Sequence, residues 1–187
     1  MKKVEHGKTF DRNAANPPAF EIFHNTVTEG YPEHWHTAIE IIMPTRGEYE
    51  VVVGKDSYNL KEGDIIMINS GVVHGMRFVS QGERIVMLVE PGCVENQEEM
   101  ETIFLRLPAI YFKKEDEEDP FYLFLRSQIL ELVREYDNEG AVMTHRICTG
   151  LKELFSEFGR KGFSDANAQN TFGAMKQQEY IEAVLSA

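Results

Sequence analysis

Short apolar runs separated by tight turns occupy the first half of the chain and decide what it can fold into. Between residue 20 and about residue 90, β-branched and aromatic runs are interrupted by Gly, Asn and Pro. This spacing is typical of β-barrels and β-sandwiches. Because the connections are too short for crossover helices, neighbouring strands should be antiparallel. The predicted strands are 20–28, 36–43, 47–53, 57–60, 64–69, 75–79 and 84–89.

The pattern changes to that of helices after residue 92. Apolar residues then recur at steps of three and four, which is the period of an amphipathic helix. Asp119 followed by Pro120 is a strong start signal, an N-cap residue with proline at the first helical position. The predicted helices are 96–107, 120–138 and 147–159. The last two should form an antiparallel hairpin that packs on the β-structure. Leu123, Ile129, Leu130 and Met143 widen its apolar arc, which favours an additional homodimer contact over a purely intramolecular cap.

Composition and charge limit the classes of partner. The chain has 187 residues, 42% of them hydrophobic, which suits a domain with a sizeable core. Its formal net charge of −12 should repel nucleic acid and anionic membranes. The two cysteines lack CxxC spacing, and no apolar run approaches membrane-spanning length. Residues 1–13 are polar and contain no apolar stretch, so a secretion signal is not expected there. These features predict a soluble, cytoplasmic protein with no membrane partner.

Four side chains that commonly bind metals occur at unusual spacing. His34 and His36 are two residues apart, Glu40 follows four later, and His74 stands alone. On one extended strand the first three would project to the same face. A buried face that carries two imidazoles and a carboxylate is costly without polar partners. The pattern therefore predicts a bound metal or a hydrogen-bonding ligand. Since four residues of strand span roughly 13 Å, Glu40 can reach the same ion only if the strand bends.

The identity of the bound species stays open at this level. Imidazole and carboxylate ligands suit one divalent ion such as Zn, Ni, Fe or Mn. The same groups could instead hydrogen-bond a sugar or another polyol, or simply be solvated at a barrel mouth. Tyr31, Met76 and Phe78 are the further candidates for lining the pocket. Trp35 has the opposite parity to the histidines and is predicted to pack outside the barrel under a helix.

Two glycine-framed segments resemble the paired motifs of the cupin superfamily. The first motif, G-x5-H-x-H-x3,4-E-x6-G, matches residues 30–47, except that the opening gap is three residues rather than five. The second, G-x5-P-x-G-x2-H-x3-N, matches residues 63–78 at both glycines and at His74. Asn69 replaces the proline and Phe78 replaces the final asparagine. The resemblance implies a cupin double-stranded β-helix, a jelly-roll barrel, followed by an α-helical hairpin.

The order of barrel, hairpin and linker resembles the sensor half of AraC-type transcriptional regulators. This resemblance divides the chain into an N-terminal arm (1–18), a cupin barrel (19–92), a helical dimerisation region (93–160), and a linker with the start of a missing DNA-binding domain (161–187). It implies a small-molecule effector in the barrel and a homodimer formed through the helices of residues 120–159. DNA would be contacted only through the C-terminal domain that this chain lacks.

A metal-dependent cupin enzyme is the competing hypothesis. A dioxygenase, isomerase or epimerase could use the same four ligands, since cupins carry many chemistries. The hairpin after the barrel and the interrupted helical pattern near residue 185 favour the sensor. On that interpretation the chain has no catalytic residues.

Overall fold

The computed structural model describes residues 19–26, 30–93, 108–114, 118–138 and 142–161. Within these ranges the chain forms nine β-strands and then two α-helices. The strands are β1 (Phe20–Asn25), β2 (Tyr31–His34), β3 (Ile39–Arg46), β4 (Tyr49–Val53), β5 (Asp56–Leu60), β6 (Ile65–Ile68), β7 (His74–Phe78), β8 (Glu83–Val89) and β9 (Ala109–Phe112). The helices are α1 (Pro120–Asp137) and α2 (Met143–Lys161). The prediction of a mainly β chain with C-terminal helices is confirmed.

The strands belong to two sheets that face each other. One sheet has five strands in the order β1-β8-β3-β6-β9, and the other has four in the order β2-β7-β4-β5. Each of these strand pairs is antiparallel, as the short connections predicted. Strands that follow one another in sequence often lie in different sheets, so the chain passes back and forth between the two layers.

The five-stranded sheet is buried on both faces because it lies between the other sheet and the helices. Its inward residues Ile42 and Ile66 share one core with Tyr49 and Val51 of the opposite sheet. Its outward residues share a second core with α1 and α2; these are Ile39, Ile41, Met43, Ile65, Met67, Ile85, Met87 and Val89. Burial on both faces explains why β3, β6 and β8 are almost continuous apolar runs rather than alternating ones.

Side-chain hydrogen bonds link the two sheets along both of their edges. On one side the Asn25 amide of β1 donates to the Tyr31 hydroxyl of β2 at 3.1 Å. On the other side the Tyr111 hydroxyl of β9 donates to the Asn59 carbonyl of β5 at 3.0 Å. The interior between the sheets is therefore closed along both edges, and polar groups deep within it, such as Glu40 and His74, are buried.

The helices form a hairpin against the outer face of the five-stranded sheet. The Asp119 carboxylate accepts a hydrogen bond from the Phe121 N–H at 2.8 Å, so α1 begins at the predicted cap. The buried side of α1 consists of Phe121, Tyr122, Leu125, Ile129 and Leu132. No helix in the described part of the chain is long and apolar enough to cross a membrane.

Three strands and one side-chain position differ from the predictions. β2 and β9 were not predicted, and the strand expected at 36–43 begins only at Ile39. β2 has the sequence Tyr-Pro-Glu-His with three exposed residues, so no apolar run marks it. Trp35 is 41% exposed rather than packed under a helix, because it lies in the connection between the two sheets.

Three predicted segments lie outside the described residues. They are the N-terminal arm of residues 1–18, the helix at 96–107, and the linker and following segment from residue 162 onward. The division of the chain at these points stays a prediction.

Candidate metal centre

The four predicted ligands reach one place in the barrel from both sheets. His34 ends β2 and His74 begins β7, and the two are directly paired across the four-stranded sheet. Glu40 lies on β3 in the five-stranded sheet, and His36 lies in the connection between them. The prediction that three of these residues share a strand face is wrong, since the chain crosses between sheets after His34. This crossing also removes the geometric difficulty of a straight strand, because Glu40 approaches from the opposite layer.

The side chains converge closely. One ligand atom from each residue lies within 4.8 Å of the others. The Glu40 Oε2 atom is 2.9 Å from His36 Nε2 and 2.8 Å from His74 Nε2. The His34 ring centroid is 4.5 Å from that of His74 and 5.6 Å from that of His36. The structure thus brings together all four residues that the motif spacing singled out.

Backbone carbonyls orient all three imidazoles in the same way. His34 Nδ1 lies 2.9 Å from a carbonyl oxygen of residue 32, His36 Nδ1 lies 2.9 Å from one of residue 38, and His74 Nδ1 lies 2.8 Å from one of residue 72. A carbonyl oxygen can only accept, so Nδ1 of each ring carries a proton. Nε2 faces the interior, where that of His36 and that of His74 lie within hydrogen-bond distance of the Glu40 carboxylate. Histidines that bind metals in proteins are oriented by the same kind of outer hydrogen bond.

Burial and charge act in opposite directions on the carboxylate. Glu40, His36 and His74 are each no more than 6% exposed. Desolvation, the largest effect, would raise the pKa of Glu40, but hydrogen bonds from His36 and His74 outweigh it and lower that pKa to about 2. Burial also lowers the pKa of His34, which favours its neutral form. A charged carboxylate and a neutral imidazole are the forms that bind metals.

A divalent ion fits this donor set. With bonds near 2.1 Å, ligand atoms around one ion stand roughly 3 to 4 Å apart. The observed contacts of 2.8 and 2.9 Å, within an overall spread of 4.8 Å, require only small shifts. Three nitrogens and one oxygen suit Zn, Ni, Fe or Mn, and leave further positions for water or a ligand atom. The buried group could therefore hold a metal, with His34 on its exposed side.

The other predicted pocket residues extend along the inner face of the four-stranded sheet. Met76 and Phe78 are two and four residues beyond His74 on β7, and therefore share its face. Met76 is buried and lies directly opposite Tyr31 in the pairing of β2 with β7. Phe78 and Tyr31 are partly open to solvent, at 37% and 46% exposure. Phe78 also contacts the Tyr49 ring, with centroids 6.5 Å apart.

One inward polar residue was missed by sequence reasoning. Arg84 is completely buried, and its guanidinium carbon lies 4.8 Å from the Tyr49 ring centroid and 5.6 Å from that of Tyr31. A charged residue at the start of a predicted strand suggests an exposed end. Its shared parity with the apolar Val86 and Leu88 was the available signal that it points into the barrel.

The comparisons with known proteins agree with this architecture. Residues 25–90 match the Cupin_2 family, described as a cupin domain. No match is found among the curated proteins. Three solved structures illustrate the likeness. Apo ToxT from Vibrio cholerae has a TM-score of 0.51 at 11% identity, over 78% of this chain and 58% of ToxT.

The AraC-like transcriptional activator CuxR also has a TM-score of 0.51, at 10% identity, over 72% of this chain and 46% of CuxR. Oxalate decarboxylase from Bacillus subtilis aligns over 38% of this chain and 20% of its own length, at 18% identity. Its TM-score of 0.34 is too low to indicate a shared overall fold. The chain thus spans about half the length of ToxT and of CuxR. The matches to ToxT and CuxR are longer than the cupin segment, so the shared fold includes more than the barrel. Residues 25–90 of this chain thus match a cupin domain, and their two facing antiparallel sheets have the corresponding fold.

Proposed function

We propose that this chain is the effector-sensing and dimerisation part of an AraC-type transcriptional regulator. The observation that carries the proposal is the buried group of His34, His36, Glu40 and His74 inside a barrel to which a helical hairpin is attached. The fold shared with CuxR, described as an AraC-like transcriptional activator, supports it. The effector is a small molecule, with sugars among the candidates, bound in the barrel with or without a divalent metal.

In this proposal the four side chains hold the metal, and neighbouring residues contact the effector. A bound metal would act as a Lewis acid that coordinates an effector oxygen. The three imidazoles and the carboxylate of this chain hold the ion and exclude bulk water from it. Tyr31, Met76 and Phe78 contribute the adjoining wall. Because Glu40 belongs to one sheet and His34 and His74 to the other, effector binding would favour one spacing of the sheets over another.

The remaining segments take roles that follow from the same proposal. In the same proposal residues 1–18 serve as the N-terminal arm of the sensor, and the region 93–160 provides the homodimer contact. Residues 161–187 connect the sensor to a DNA-binding domain. The net charge of −12 suits a part of the protein that does not itself bind DNA.

Metal titration tests the ligand group. Chelator-treated protein should bind one Zn²⁺ or Co²⁺ per chain, and His74→Ala should weaken that binding by about 100-fold or more, since a ligand is lost from a buried site. His145→Ala, at an exposed position on α2, is the matched control and should bind like the parent protein. Equal affinities for His74→Ala and His145→Ala would refute the ligand assignment.

A metal-dependent cupin enzyme remains the second candidate, because the same donor set leaves coordination positions open, as catalytic metals require. The two functions differ in what happens to the bound molecule. Metal-loaded protein incubated with a panel of pentoses and hexoses should return them unchanged, as judged by mass spectrometry, while binding alters the dimer dissociation constant. Conversion of any sugar in parent protein but not in His74→Ala would support the enzyme instead.

A further inference from the structure

The barrel interior contains a second polar region at a distance from the four-ligand group. On β8, Leu88 lies opposite Glu40, and Arg84 lies four residues further along the same inner face. The backbones of Glu40 and Arg84 are therefore separated by roughly 13 Å along the strands. The inward residue between Arg84 and Leu88 is Val86, so the two polar regions are joined by an apolar wall.

Arg84 is a cation held deep in the protein, with no exposed surface. Its guanidinium lies over the rings of Tyr49 and Tyr31, at 4.8 and 5.6 Å from their centroids. Asn25 pairs with Arg84 across β1 and β8, and its amide donates to the Tyr31 hydroxyl. A buried guanidinium is costly compared with an apolar side chain of similar size. An arginine at this position therefore indicates a requirement for charge.

The Tyr49 hydroxyl provides an independent observation. Tyr49 is 1% exposed, and within the described part of the chain its hydroxyl has no hydrogen-bond partner. Buried hydroxyls in native proteins are usually hydrogen-bonded, and exceptions call for an explanation. The Tyr31 hydroxyl accepts from Asn25, which leaves its own proton available to donate. The guanidinium carbon lies within 5.6 Å of both tyrosine ring centroids, so this end of the barrel combines a buried cation with two phenol hydroxyls, all hydrogen-bond donors that suit an anion.

We propose that the effector is an organic carboxylate whose anionic group binds at Arg84. This proposal rests on the proposed sensing function and narrows its ligand class. The planar guanidinium pairs with a carboxylate through two parallel hydrogen bonds, and the Tyr49 hydroxyl donates a third. The body of the molecule extends toward His34 along the buried side chains of Val51, Met76 and Val86. Such an apolar wall favours an organic acid over a sugar. The partly exposed rings of Tyr31 and Phe78 form the rim through which the ligand enters.

The experiment compares acids with their uncharged amides. Metal-free protein comprising residues 1–187 is titrated calorimetrically with benzoate, butyrate, benzamide, butyramide and inorganic phosphate. Each acid should bind at least about 10-fold more tightly than its amide, because hydrogen bonds to a charged group are stronger than those to a neutral one. Arg84→Met should lower the affinity for the acid to that for the amide. Tyr49→Phe should lower the affinity for the acid by about 3- to 10-fold. Arg77→Met, at an exposed position paired with Glu50, is the control and should leave both affinities unchanged.

Three results would overturn the proposal. The first is equal binding of acids and amides, or none of either, up to roughly 10 mM. The second is tighter binding of phosphate than of both acids, which would assign the subsite to phosphate esters. The third is a structural role for Arg84. In that case Arg84→Met would lower the melting temperature of the ligand-free protein, and the parent protein would bind acids no more tightly than amides.

Zn²⁺ binding separates this proposal from the sensing function. Arg84→Met should bind Zn²⁺ like the parent protein, because the four ligands are unchanged. Normal Zn²⁺ binding without any preference for acids would overturn the carboxylate subsite alone. The sensing function itself would be overturned if the parent protein neither bound Zn²⁺ or any of the small molecules nor formed a dimer.

Discussion

Glu40 is the residue at which burial and charge compete most directly. A carboxylate buried in the barrel would on its own be protonated, yet two imidazoles that hydrogen-bond it hold its pKa near 2. The pKa of Glu40 is therefore lower in the folded protein than the ordinary value of 4.5. By linkage, the charged form contributes stability that is fully present above pH 4.5 and is lost as the pH falls toward 2.

This shift predicts a pH-dependent difference between the parent protein and Glu40→Gln. In metal-free protein the charged form of Glu40 contributes on the order of 3 kcal/mol, a contribution that glutamine lacks. Urea denaturation at a series of pH values should show a constant gap between the two proteins above pH 4.5, which narrows at lower pH. A gap of the same size from pH 7 to pH 3 would contradict this assignment of the carboxylate.

Individual residues could be predicted from the sequence where spacing carried the information. His34, His36, Glu40 and His74 were found because their types and intervals are rarely combined. The prediction that the first three share one strand face was wrong. Alternation along a strand shows which residues share a face, but it does not show where the chain crosses to the other sheet. Arg84 was missed because its burial depends on the opposite sheet, whose position cannot be obtained from β8 alone.

At the scale of elements, α1 offers the sharpest local test. Its start depends on the Asp119 carboxylate, which accepts the Phe121 N–H at 2.8 Å. Asp119→Ala should lower the free energy of unfolding by about 1 kcal/mol, whereas Asp119→Asn should retain most of it. Thermal denaturation gives the comparison, with the exposed Glu118→Ala as the control. Equal melting temperatures for Asp119→Ala and Glu118→Ala would show that the cap does not stabilise the fold.

The elements that were not predicted are those stabilised by their neighbours rather than by their own sequence. β2 has three exposed residues and contains a proline, and it becomes a strand only by pairing with β7. β9 has four residues and completes the five-stranded sheet beside β6. Such pairings depend on tertiary contacts, which local propensity does not describe. The long apolar runs and the capped helix, by contrast, were predictable from sequence alone.

At the scale of the whole molecule, the hairpin has an outer surface that the barrel does not cover. Leu123 and Leu130 are seven residues apart on α1, hence on one face, and are 49% and 39% exposed. Under the proposed dimer this face meets a second copy of the chain. The double variant Leu123→Glu with Leu130→Glu should therefore shift the protein from dimer to monomer in sedimentation velocity, with the melting temperature measured in parallel.

Val79→Glu is the matched control for that experiment. Val79 is 55% exposed but lies on the barrel just after β7, away from the hairpin. The control should sediment like the parent protein. A double variant that remains a dimer would place the subunit contact elsewhere, and a monomeric parent protein would contradict the proposed dimer.

β3 has one face toward the barrel interior and the other toward the helical hairpin. Glu40 faces inward to the imidazoles, while its neighbours Ile39 and Ile41 face outward into the core that holds α1 and α2. Adjacent residues of one backbone cannot move independently. A ligand that shifted the β3 backbone at Glu40 would therefore also shift Ile39 and Ile41, which pack against the hairpin.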